Sequence, residues 1–168
     1  MNLVFFDFLI PTALIISLFL SWRNINARFM ILCFIFVEAI NFLSLSWALT
    51  MPIGYYVWSM AMSGVFLVFV LGRRFWAYKL RAFTFFNDAY VNHTYTIQET
   101  ALVLLFTLSI LNNFITFAEV YLYFIDLISN AYYKLHIRDF VQNVIFVIAA
   151  FVCVSFGLKS SKKDLKIS

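Results

Sequence analysis

FMILCFIFVEAINFLSLSWAL, residues 29–49, is apolar almost throughout. At about 1.5 Å per helical residue it is long enough to cross a hydrocarbon layer of roughly 30 Å. One carboxylate, Glu38, interrupts it near the middle. Four further runs of this kind flank it, at residues 3–22, 53–72, 101–123 and 140–158. Across the 168 residues, 64% are hydrophobic and 12% charged; soluble domains carry about 25% charge. A water-soluble fold of this size cannot hide so much apolar surface, whereas a bilayer accepts it. The sequence therefore predicts an all-α fold, a polytopic transmembrane helical bundle of five spans forming a single domain over residues 1–168.

Local signals mark several span ends. Thr96 and Glu99 form a T-x-x-E capping box before the fourth run. Asp139, with Gln142 three residues on, suits the start of the fifth, and Gly157 followed by Lys159 suits its end. Pro52 fits the first turn of the third. Pro11 removes the amide that would bond the Asp7 carbonyl, which predicts a kink in the first span. The N-terminal run lacks a basic leader and a small-residue cleavage site, so it is expected to remain as a span.

Orientation follows from Lys and Arg in the connections. Ten of the 12 basic residues fall on one side: Arg23, Arg28, Arg73, Arg74, Lys79, Arg81, Lys159, Lys162, Lys163 and Lys166. Lys134 and Arg138 fall on the other. Because cytoplasmic loops are enriched in Lys and Arg, the N-terminus is expected outside and the C-terminus inside. The expected location is an integral position in a membrane, taken as a bacterial inner membrane. Residues 73–99 form a basic, aromatic cytoplasmic connection in which Arg74, Arg81, Thr84 and Asp88 share one face of a continuous helix, an interfacial pattern. Residues 159–168 form a basic cytoplasmic tail. Arg73, Arg74, Lys79, Arg81, Lys159, Lys162 and Lys163 are the expected contacts with lipid headgroups or a cytosolic partner. Trp47, Tyr55, Tyr56, Tyr132 and Tyr133 suit the outer aromatic belt, and Trp22 and Trp76 the inner one.

Polar residues at depth are the best functional pointers in such a chain. An ionised carboxylate at a helix centre costs roughly 3 kcal/mol, so Glu38 should be protonated, paired or facing water. Asn41 shares its face. In the fourth span Ser109, Asn112, Thr116 and Glu119 recur at helical spacing and Asn113 widens the stripe, with Asn112 and Asn113 expected near the midplane with Glu38. Such residues line an ion path or polar core, or they simply hydrogen-bond between helices at about 0.6 kcal/mol each. Ala149, Cys153 and Gly157 form a small-residue ridge on the fifth span, and Ser59 with Ser63 a shorter one on the third, both suited to close helix packing.

The stretch RNINARFMILCFIFVEAIN, residues 23–41, resembles the second helix of the small three-helix subunit of respiratory complex I. That resemblance implies a proton-path carboxylate at Glu38. It covers one span only. The family's second glutamate has no counterpart in YYVWSMAMSGVFLVFVLG, and two further spans follow, so membership is not claimed.

The functional expectation is a small membrane subunit that oligomerises. Its polar midplane core would act as a pore or ion-responsive sensor, and its basic cytoplasmic surfaces would recruit a partner. The alternative is a structural or proton/ion-path subunit of a larger membrane complex. No catalytic motif, cofactor signature or metal-ligand spacing is present. Neither an enzyme nor a nucleic-acid binder is expected; Glu119, Asp126 and His136 are the nearest approach to an acid–base set.

Overall fold

In a computed structural model the chain is described over residues 3–22 and 24–165, and its side chains over residues 9–22, 24–156 and 158. The described residues are helical throughout, joined by short turns, with no strand among them. The order is α1 (Leu3–Leu20), α2 (Ile25–Ala48), α3 (Gly54–Leu71), α4 (Arg73–Lys79), α5 (Thr84–Val91), α6 (Ile97–Phe124), α7 (Tyr132–His136) and α8 (Arg138–Leu165). Four helices are long and apolar enough to cross a membrane: α2, α3, α6 and, within α8, Arg138–Phe156. The apolar part of α1 that falls within the described side chains, Leu9–Leu20, is shorter.

Each long helix starts or stops for a local reason. Asn24 caps α2, its side-chain oxygen accepting the amides of Asn26 and Ala27 at 3.1 and 3.2 Å. The Thr96–Glu99 capping box forms at the head of α6 as the sequence predicts. At the other end of α6, the amides of Asp126 and Leu127 bond the carbonyls of Tyr123 and Leu122 at 3.1 and 3.0 Å. This is a Schellman closure with Asp126 in its left-handed position, φ 57°. Pro11 lies inside α1. Three boundaries differ from expectation. α3 begins at Gly54, so Pro52 belongs to the preceding turn. Asp139 sits in the first turn of α8 rather than before it, and α8 runs past Gly157 to Leu165.

The core joins α1, α2, α3, α6 and α8 through Leu14, Met30, Phe34, Phe66, Val70, Leu102 and Ala149. Three rings lie at its centre: Phe66 is 3.9 Å from Phe106 and 4.5 Å from Phe34, and Phe34 is 5.4 Å from Phe106, centroid to centroid. α1 packs most closely on α8. Both helices bury rows of small side chains at four-residue spacing, Ala13 and Ser17 on α1 with Ser21 just past its end, and Ala149 and Cys153 on α8. The hydroxyls of Ser17 and Ser21 bond carbonyls of their own helix, so close approach leaves neither unsatisfied. The space around Gly157 lies outside the described residues. On α3, Ser63 is buried and Ser59 half-buried.

A left-handed conformation strains a side chain that glycine would not have. Asp126→Gly is therefore expected to raise stability by about 0.5 kcal/mol, read as a small increase in melting temperature in detergent. A loss would show that the Asp126 side chain holds the turn.

Candidate functional site

Two polar layers lie on α6. They are named inner and outer after the sides that the charge pattern of the sequence predicts for them; the inner one centres on Arg73, the first residue of α4. Sequence reasoning groups Arg73 with the exposed basic residues, yet it is 0% exposed. Its Nη1 donates to Glu99 Oε1 at 2.8 Å, and Glu99 is also buried. The guanidinium further donates to the carbonyls of Asn26 and Thr94, each at 3.3 Å. The Asn26 amide reaches Thr94 as well, at 2.9 Å to its carbonyl. Glu99 accepts the Thr96 amide through its other oxygen while its own amide donates to the Thr96 hydroxyl, both at 3.3 Å. One residue thus caps α6 and neutralises a buried cation. The layer ties together the start of α2, the α3–α4 joint, the loop before α6 and the start of α6.

Gly72 makes the α3–α4 joint possible. A Cβ there would lie 2.6 Å from the Val68 carbonyl oxygen and 3.0 Å from Trp76 Nε1. α4 and α5 form a hairpin against α2, with Phe29, Cys33, Ala77 and Ala89 buried between them and Phe86 packing edge-on to Phe29 at 5.5 Å. The turn between α4 and α5 breaks the single helical face expected for Arg74, Arg81, Thr84 and Asp88. Arg74, Lys79 and Arg81 are exposed. Each cation stands over a ring: Arg74 over Tyr90 at 5.4 Å, Lys79 over Phe75 at 4.9 Å and Arg81 over Tyr78 at 4.7 Å. The side chains of Lys159, Lys162 and Lys163 lie outside the described residues.

The outer layer is built on the predicted stripe. Ser109, Asn112, Asn113 and Thr116 are buried and Glu119 half-buried. Their partners come mostly from α7 and α8. Gln142 accepts from Asn112 at 3.1 Å and donates to the Ser109 hydroxyl at 3.1 Å. The Tyr133 hydroxyl donates to Asn112 Oδ1 at 2.7 Å. Asn113 bonds back to the Ser109 carbonyl, and Thr116 to that of Asn112. Arg138, its side chain 15% exposed, pairs with Asp139 at 2.8 Å and lies 5.3 and 5.2 Å from the Tyr55 and Tyr56 ring centres. Glu119 accepts the amides of Tyr133 and Lys134 at 2.7 and 2.8 Å, capping α7.

Asn112 lies at the level of the α8 start, where its amide meets the Arg138 carbonyl at 3.3 Å. The stripe is central on α6 but terminal on α8. Glu38 and Asn41 are half-buried on α2, and Glu38 is not isolated. The described bonds of Asn112 and Asn113 lead to α7, α8 and α6 itself. The two layers are separated on α6 by 14 residues, Glu99 to Asn113, or about 21 Å. Phe106 stands midway, inside the aromatic trio. Tyr55, Tyr56 and Tyr133, expected in the outer belt, serve the outer network instead. Sequence reasoning assigned no place in the core to Arg73, Gln142 or Arg138; Gln142 is four residues after Arg138, which puts both on one face of α8.

Comparison with protein-family models, curated proteins and solved structures found no match. The chain's own geometry therefore carries the functional argument.

Removing one partner of a buried pair strands the other charge, at a cost of about 3–5 kcal/mol. Arg73→Ala should destabilise by that order. Arg73→Met with Glu99→Leu, which removes both charges, should lose much less. Equal losses in the single and double variants, measured by thermal unfolding, would show that the two residues are not coupled.

His93 sits in the loop of the inner layer. Burial, then the charges of Arg73 and Arg74, hold its pKa below the ordinary value of 6.5, against a smaller opposing backbone hydrogen bond. Around and below that pH the unfolded chain binds more protons than the folded one, so stability should fall as the pH drops through the ordinary imidazole range and level off below the depressed pKa. His93→Gln should flatten this dependence in melting curves taken across pH. An unchanged slope would assign it to other groups.

Proposed function

We propose that this protein is a small integral membrane subunit with five spans, its N-terminus outside and its C-terminus in the cytoplasm, acting as an ion-responsive sensor in a bacterial inner membrane. The observation that carries this reading is that α6 bears both polar layers. Its outer half bonds α7 and α8 through Asn112, Ser109 and Gln142, and its first turn holds the Arg73 latch through Glu99. A displacement of α6 by protons or ions at the outer layer would be felt at the base of the α4–α5 hairpin. The basic inner end is the output side, where a partner is recruited, and assembly into an oligomer multiplies that surface.

Sensing rather than conduction through one bundle is favoured by the Phe34–Phe66–Phe106 trio, whose rings pack together between the layers. Any conducting path would run between subunits, where the half-buried Glu38 is a candidate lining residue. A structural subunit of a larger complex is the second reading. It is favoured by exposed Tyr121, Tyr123, Phe124, Leu127 and Leu135 around the α6–α7 turn, beyond the start of α8.

The test is hydrogen exchange of the protein in nanodiscs, wild type beside Asn112→Leu. Faster exchange at residues 84–99 in the variant, far from the substitution, is the expected result. A change confined to residues around 109–142 would remove the coupling on which the sensor reading rests.

A further inference from the structure

We infer that the outer surface of the α4–α5 hairpin is a binding site for the headgroups of anionic phospholipids. This rests on the membrane-spanning fold and on the hairpin lying at the cytoplasmic surface, but not on the sensing role.

Position comes first. α3 ends at Leu71 and α4 begins at Arg73, with Gly72 alone between them. The Tyr95 hydroxyl also bonds the Leu71 carbonyl at 3.1 Å, tying the loop after α5 to the same point. The Arg73–Glu99 latch fixes the base from within. The hairpin therefore stays at the depth where α3 leaves the hydrocarbon. Headgroups are what a soluble surface meets at that depth.

Chemistry comes second. Phe75, Tyr78, Leu80 and Phe83 are exposed, Phe83 by 64%. Among them stand the exposed cations Arg74, Lys79 and Arg81, while Asp88 is the one acidic residue of the hairpin. Each cation's charged group lies over a ring, at 5.4, 4.9 and 4.7 Å from its centre for Arg74, Lys79 and Arg81, so cation and aromatic surface are presented together. Rings that enter the acyl boundary and cations that meet phosphate make an interfacial surface. Arg28 extends it from the start of α2, lying 4.7 Å from the Phe85 ring centre. An acidic protein segment would satisfy the cations but would leave the exposed rings beside them without apolar partners; an anionic lipid satisfies both.

The experiment is native mass spectrometry of full-length protein extracted from vesicles of phosphatidylcholine alone or mixed with phosphatidylglycerol. Wild type should retain phosphatidylglycerol in preference to phosphatidylcholine. The triple variant Arg74→Gln, Lys79→Gln, Arg81→Gln should retain about tenfold less or lower still. Lys134→Gln, on the opposite side, should behave as wild type. Equal retention by wild type and triple variant, or no preference between the lipids, overturns the assignment. So does displacement of retained lipid by a polyglutamate peptide that itself stays bound, which would give the surface to an acidic protein segment. If the triple variant melts early, Lys79→Gln and Arg81→Gln alone, both at exposed positions, provide the same comparison with partial losses. Resistance of the wild type to alkaline extraction from the vesicles is scored separately, so failure of the spanning fold is not mistaken for failure of the lipid site.

Discussion

The guanidinium of Arg73 and the carboxylate of Glu99 leave water together, and the inner end of the bundle is arranged around that fact. Two isolated charges in so dry a place would each cost several kcal/mol. Here the guanidinium also meets the Asn26 and Thr94 carbonyls, and the carboxylate also meets the Thr96 amide. Those partners come from two chain segments, the start of α2 and the loop before α6, and each must stand where it does for the pair to be tolerated. The pair acts less as a source of stability than as a condition on geometry. A bundle that slipped in register at this end would expose one charge to the core without its counterpart.

The outer layer obeys the same rule with weaker groups. Neutral amides and hydroxyls carry most of it, and its one buried-side cation, Arg138, is shared among Asp139, Asn113 and two tyrosine rings. Between the layers the interior is aromatic and aliphatic. Ser109 and Asn112 bond side chains of α7 and α8, Thr116 bonds back to its own helix, and both oxygens of Glu119 accept backbone amides of α7.

The main spans were legible because apolar length is a one-dimensional property that a bilayer enforces directly. Four of the five runs coincide with long apolar helices. The capping box was legible for a related reason, being local in sequence. What Glu99 does with its second oxygen was not, because Arg73 lies 26 residues away and its charge reads naturally as one more cytoplasmic cation. The burial of Ser109, Asn112, Asn113 and Thr116 followed from their spacing, but their partners did not, since Gln142 and Tyr133 belong to elements whose register no local pattern sets. The small-residue row on α8 had a counterpart of equal spacing in Ala13, Ser17 and Ser21, so the same argument reaches the α1 contact as well.

Helix length explains why depth was harder to read than topology. α6 and α8 each have 28 residues, about 42 Å, against a hydrocarbon layer of roughly 30 Å. They are offset and overhang each other at opposite ends, because Arg138 starts α8 level with Asn112 in the middle of α6. The α6 overhang is covered in part by α7, whose first amides Glu119 holds. The α8 overhang carries the lysine-rich sequence from Lys159 onward. Polar residues continue a helix as readily as apolar ones when capping and hydrogen bonding permit, so the edge of an apolar run marks where the bilayer stops and not where the helix does. That offset puts a stripe that is central on one helix at the end of its neighbour.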